Sequence, residues 1–78
     1  MKRGTVVKSM AGRDQGRFQV VLACEADRIL VADGKVRKLA NPKVKNPCHL
    51  QNTEQHINLE QIHSDKALRK ALTMLDLI

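Results

Sequence analysis

Short runs of β-branched and aliphatic residues, each cut off by turn chemistry, fill the first two thirds of the chain and limit what it can fold into. Gly4-Thr5-Val6-Val7-Lys8-Ser9-Met10 has a β-branched centre that favours an extended backbone. Ala11-Gly12-Arg13-Asp14-Gln15-Gly16 breaks that run, and Phe18-Gln19-Val20-Val21-Leu22-Ala23 follows as a second strand. The polar turn Glu25-Ala26-Asp27 leads to a third, Arg28-Ile29-Leu30-Val31-Ala32. Asp33-Gly34 then reads as a tight two-residue hairpin with both central residues at positive φ, joining the third strand to Val36-Arg37-Lys38-Leu39. In Asn41-Pro42-Lys43-Val44-Lys45-Asn46-Pro47 neither proline can donate a backbone hydrogen bond, so a surface loop is expected there. Cys48-His49-Leu50-Gln51 would close the sheet, and residues Asn52 to His63, with mixed signals, read as a linker. Ser64 can cap a helix with Asp65 in its first turn, and Leu68, Ala71, Leu72, Leu75 and Ile78 share one face of it. The expectation is a mainly β domain with a C-terminal α-helix over residues 64–78.

Size narrows the functional classes. A chain of 78 residues buries only about 60% of its unfolded surface, enough for one core but leaving little for a deep, dry catalytic cavity. Phe18 is the only aromatic residue, so the core must be aliphatic, with Phe18 expected inside it. Proteins that read single strands stack bases on several aromatic side chains, so any nucleic-acid contact here should be mostly electrostatic. Cys24, within an apolar strand, reads as a small core residue, and both it and Cys48 are expected as free thiols. No local signature activates either thiol, and no phosphate-binding loop of the G-x-x-x-x-G-K-[ST] kind is present. His49, His56 and His63 recur every seven residues beside Cys48, but structural zinc sites pair ligands a few residues apart. No catalytic residue, metal ligand or cofactor site emerges. The longest charge-free run falls far short of the ~20 apolar residues that span a bilayer, and no apolar signal region follows Lys2-Arg3. A cytoplasmic protein without membrane contact is the expectation.

Charge is unevenly distributed. The formal net charge is +6, but eleven of the fourteen Lys and Arg residues precede residue 50, against four of the eight acids. The remaining segment is slightly acidic, so a polyanion would dock on the first two thirds. Arg37, Lys38, Lys43 and Lys45 fall within nine residues with no intervening acid. Arg13 and Arg17 flank a glycine-bearing loop tip, where guanidinium groups and free amides suit phosphate oxygens.

The order Gly4-Thr5-Val6-Val7, Gly12-Arg13-Asp14-Gln15-Gly16-Arg17, Val20-Val21 resembles the KOW motif, a β-loop-β unit of an SH3-like barrel. Many KOW sequences carry a further glycine just before the second strand, where this chain has Phe18-Gln19. Leu30-Val31-Ala32-Asp33-Gly34, Arg37-Lys38-Leu39, Pro42-Lys43-Val44-Lys45 and His49-Leu50 look like small bacterial KOW-domain RNA-binding proteins, themselves similar to large-subunit ribosomal proteins of archaea and eukaryotes. The resemblance spans residues 4–51. It implies a small SH3-like barrel over residues 1–51 that binds folded ribosomal RNA of the large subunit, in translation, without catalysis. It also implies an RNA-binding set of Lys8, Gly12, Arg13, Gly16, Arg17, Arg37, Lys38, Lys43, Lys45 and His49. The alternative is a protein-interaction KOW module of a transcription or translation factor.

Overall fold

The computed structural model of the protein describes residues 2–75. Five antiparallel strands form one sheet: β1 Thr5–Ser9, β2 Phe18–Glu25, β3 Arg28–Ala32, β4 Lys43–Lys45 and β5 Leu50–His56, in the spatial order β4-β3-β2-β1-β5. A single helix, α1 Asp65–Met74, closes the described chain, with Ser64 Oγ accepting from the Ala67 amide at 3.1 Å as its N-cap. Ile78, assigned above to the helix face, lies outside the described residues.

Consecutive strand residues point to opposite faces, and both faces of this sheet are apolar. Val6, Val20 and Ala32 meet Leu59 and the helix residues Leu68 and Leu72 on one face. Their neighbours Val7, Val21 and Val31 join Ile29 and Leu50 on the other, a cluster to which α1 contributes no residue among those described. That second set is nonetheless buried, with Leu50, the most open of them, only 7% exposed. The sheet shields it by curling. Strands pack about 4.8 Å apart, so the edges of a flat five-stranded sheet would stand roughly 19 Å apart. Yet β4 and β5 are those edges, and only Asn46 and the 3₁₀ turn Pro47–His49 connect them. Such a turn rises about 2 Å per residue, so the edges must approach each other. The sheet is curled and open, with no β4–β5 ladder among the described residues.

Several local expectations are corrected. Asp33-Gly34 is not a two-residue hairpin, and Val36–Leu39 is not a strand: only Gly34 has positive φ, and the segment loops back with both the Asp33 and Gly34 amides donating to the Arg37 carbonyl. Asp33 Oδ1 accepts from the amides of Lys35 and Arg37 at 2.8 and 2.9 Å, satisfying donors that a ladder would otherwise need. Gly34 packs so closely on the helix that a Cβ would strike the Asp65 carbonyl, while Arg69 donates to the Gly34 carbonyl at 3.0 Å. The proline stretch, expected as loop, contains β4, whose residues pair with β3 between the two prolines rather than across them. Cys48-His49 belongs to a 3₁₀ turn, and the expected linker is strand as far as His56. The sheet therefore runs past residue 51. A bulge opposite Val6 and Val7 carries Thr53, whose hydroxyl donates to the Val6 carbonyl at 2.7 Å, and Glu54 at φ 64°. Cys24 is exposed rather than in the core, and Phe18 is only half-buried at the core margin. No helix among the described residues is long and apolar enough to cross a membrane.

Candidate nucleic-acid interface

One end of the curled sheet is built by the β1–β2 loop and the loop after β3. Antiparallel pairing of Lys8 with Phe18 brings β1 and β2 together, and the Ser9 and Gly16 amides exchange bonds with the Arg17 and Ser9 carbonyls at 2.9 and 2.8 Å. Gly12 and Gly16 sit at φ +80° and +87° in the loop that results. Both are left-handed conformations that glycine adopts without penalty. The Met10 amide donates to the His49 carbonyl at 2.8 Å, which seats exposed His49 at the base of the loop.

Asp14 does not point outward with its arginine neighbours. It is 2% exposed, and its Oδ2 accepts from Arg37 Nε at 3.0 Å and from Gln19 Nε2 at 3.4 Å, with Lys45 Nζ 3.9 Å away. Burial alone would raise the carboxyl's pKa, but the hydrogen bonds and charges of Arg37, Gln19 and Lys45 outweigh it and hold Asp14 below the ordinary carboxylate range. Asp33 is 3% exposed, and Arg17 Nη1 reaches to 3.9 Å from its Oδ2. Two crossed ion pairs thus tie the loops together, Asp14 of the first to Arg37 of the second and Asp33 of the second to Arg17 of the first.

Of the residues selected from sequence, the structure spends two internally. Lys45, 8% exposed, donates to the Ala11 carbonyl at 3.2 Å and faces Asp14, while Arg37 is held by Asp14. Arg13, Lys38 and Lys43 are exposed and make no ion pair among the described residues, and Arg17 is exposed as well. Lys8 is half-buried, its ammonium 5.7 Å from the centroid of the Phe18 ring. Sequence reasoning left Lys35 out of the RNA-binding set, although it lies exposed beside Arg17, Phe18 and Asp33, and gave Asp14 and Asp33 no part in pairing cations. Asp14 was visible as the lone acid between two arginines, a position that asks for a partner.

Glu25 and Asp27 are exposed at the opposite end of β2. Seven residues of rise at about 3.3 Å each put them some 23 Å from Phe18, so they do not soften the field of the loop end. Among the described residues no three His, Cys, Asp or Glu side chains cluster as a metal site would require. Comparison with protein-family models gives no match, and comparison with curated proteins gives none either.

Proposed function

We propose that the protein is a non-catalytic RNA-binding protein of the KOW type, whose curled sheet is the SH3-like barrel of that family. The strand order β4-β3-β2-β1-β5 and the short link between its edge strands support that reading of the fold. The rim of Arg13, Arg17, Lys35, Lys38 and Lys43, with Lys8 and His49 beside it, docks folded RNA through phosphate and shape contacts. Ribosomal RNA of the large subunit is the expected partner, in the cytoplasm.

One observation carries the reading. Two acids of this end, Asp14 and Asp33, are buried and face cations, and a third, half-buried Asp65, accepts from the Leu39 amide at 2.7 Å, so the exposed charge of the rim is predominantly positive. A predominantly positive surface raises the local concentration of a polyanion and fixes its approach.

Binding of a labelled RNA hairpin, followed by anisotropy at increasing salt, tests it. Five neutralised phosphates give a log–log slope of roughly −3.5 to −4.5. Affinity should then fall about 130- to 500-fold between 50 and 200 mM salt. Arg13→Glu combined with Lys38→Glu should flatten the slope by about two and leave the fold intact. Binding indifferent to salt and to this charge reversal would refute the mechanism, and capture of a protein partner in its place would favour the interaction-module alternative.

A further inference from the structure

The rim contains a feature that phosphate docking does not use. Phe18, the only aromatic side chain, is half-buried at the core margin and lines a shallow pocket of about 90 Å³ with Arg17, Asp33 and Lys35. At about 30 Å³ per water, this is space for a few waters or for one edge of a base whose remainder stays over the open side. Lys8, over the Phe18 ring, does not line it.

Asp33 contributes an unusual acceptor. Its Oδ1 is occupied by the two backbone amides of Lys35 and Arg37, but its Oδ2 is buried with no hydrogen-bond partner. Leaving such an oxygen unmet costs free energy that a suitable donor would recover. Arg17 Nη1, at 3.9 Å, is too far to bond and covers Oδ2 instead, while the arginine side chain remains 43% exposed and able to swing outward.

We propose that this pocket takes a single unpaired nucleobase, stacked on Phe18, that donates an amino hydrogen to Asp33 Oδ2. Arg17 turns out to a neighbouring phosphate and so uncovers the oxygen, and Lys35 holds the phosphate on the other side. A carboxylate can only accept, so guanine, adenine and cytosine, which offer an exocyclic amino group, fit it better than uracil, whose one base donor, N3–H, sits between two carbonyl oxygens that repel a carboxylate. One aromatic side chain supports one stacked base, in keeping with the rest of the rim holding folded RNA. The inference deepens the RNA-binding proposal and rests on it.

Hairpins carrying a single-nucleotide G, A, C or U bulge, compared with the same unbulged hairpin, test it. Stacking on one aromatic side chain is worth about 1–3 kcal/mol, so an amino-bearing bulge should bind some 5- to 150-fold tighter than no bulge. Phe18→Leu should abolish that preference while leaving the unbulged hairpin and its salt slope unchanged. Asp33→Asn retains Oδ1 but presents a donor where Oδ2 was, so the preference for amino-bearing bulges over U should disappear. Equal affinity for all five hairpins, with the salt slope intact, would overturn the pocket and leave the RNA-binding reading standing. If no hairpin binds, the RNA reading falls, and NMR titration with GMP and UMP decides the pocket separately. Shifts of the Lys35 and Arg37 amides with GMP only would support it, and no shift or identical shifts with both would overturn it.

Discussion

Replacing Asp14 by Asn removes one charge from the loop end and tests whether Arg37 and Lys45 serve the fold rather than a ligand. In the native protein Lys45 is 8% exposed, and apart from Asp14 its ammonium meets the Ala11 carbonyl. The Arg37 side chain is 26% exposed and gives its Nε hydrogen to Asp14. Removing one partner of a buried ion pair costs about 3–5 kcal/mol, because the other charge stays buried. The long Lys45 contact and the partly open Arg37 place Asp14→Asn at the low end, about 3 kcal/mol. A domain of this size has only some 4–12 kcal/mol in total, and each kcal/mol lowers Tm by about 4–8 °C. A drop of about 12–24 °C follows, read by far-UV circular dichroism because the chain has no Trp or Tyr.

The same substitution has a pH signature. The folded Asp14 carboxyl titrates below its ordinary value of 3.8, so its contribution is fully present above that pH and is lost as pH falls through the folded value. The gap between wild type and Asp14→Asn should be flat from about pH 5 to 8, begin to shrink only below about pH 4, and close as pH falls through the lowered folded value. Asp14→Asn with Lys45→Met should regain much of the loss. A single variant within 1 kcal/mol of wild type, or a gap that ignores acid, would refute the assignment of Asp14 as the internal anchor of the loops.

Two further outcomes follow from the packing. Gly34→Ala places a Cβ against the Asp65 carbonyl at φ +78°, whereas Gly16→Ala, at φ +87°, meets open space. Gly16→Ala should therefore cost only the left-handed backbone penalty of about 1–2 kcal/mol in urea unfolding, and Gly34→Ala clearly more; equal costs would contradict the seating of the helix on the second loop. Cys24 and Cys48 are both free and exposed, so Ellman's reagent should titrate two thiols in the native protein as readily as in urea, and protection of either would contradict the placement of β2 or of the 3₁₀ turn.

What could be read in advance was local. β1, β2 and β3 emerged within two residues of their observed bounds, because β-branched runs and turn residues act on their own backbone. The Ser64 cap and the Leu68–Leu72 face were legible for the same reason. What escaped depends on contacts between distant segments. β5 runs through Gln51-Asn52-Thr53-Glu54-Gln55, a composition poor in strand formers, and is held by pairing with β1 more than forty residues earlier in the chain. β4 is three residues set against β3 at an edge where flanking prolines do no harm. At Asp33-Gly34 a strong hairpin signal lost to a carboxylate that satisfies two amides and a helix that seats on the glycine.

Charge shows the same division. Composition alone determined that the first two thirds of this chain are basic, aliphatic and strand-forming, because those properties are sums over residues and near neighbours. Which cations remain available could be decided only by the tertiary structure. Asp14 meets Arg37 and Lys45, and Asp33 meets Arg17, only where a curled sheet brings two loops to one end. Burial then turns each acid inward and leaves the rim predominantly positive, since an ionised carboxylate keeps its charge away from water only beside partners that the chain must fold to supply.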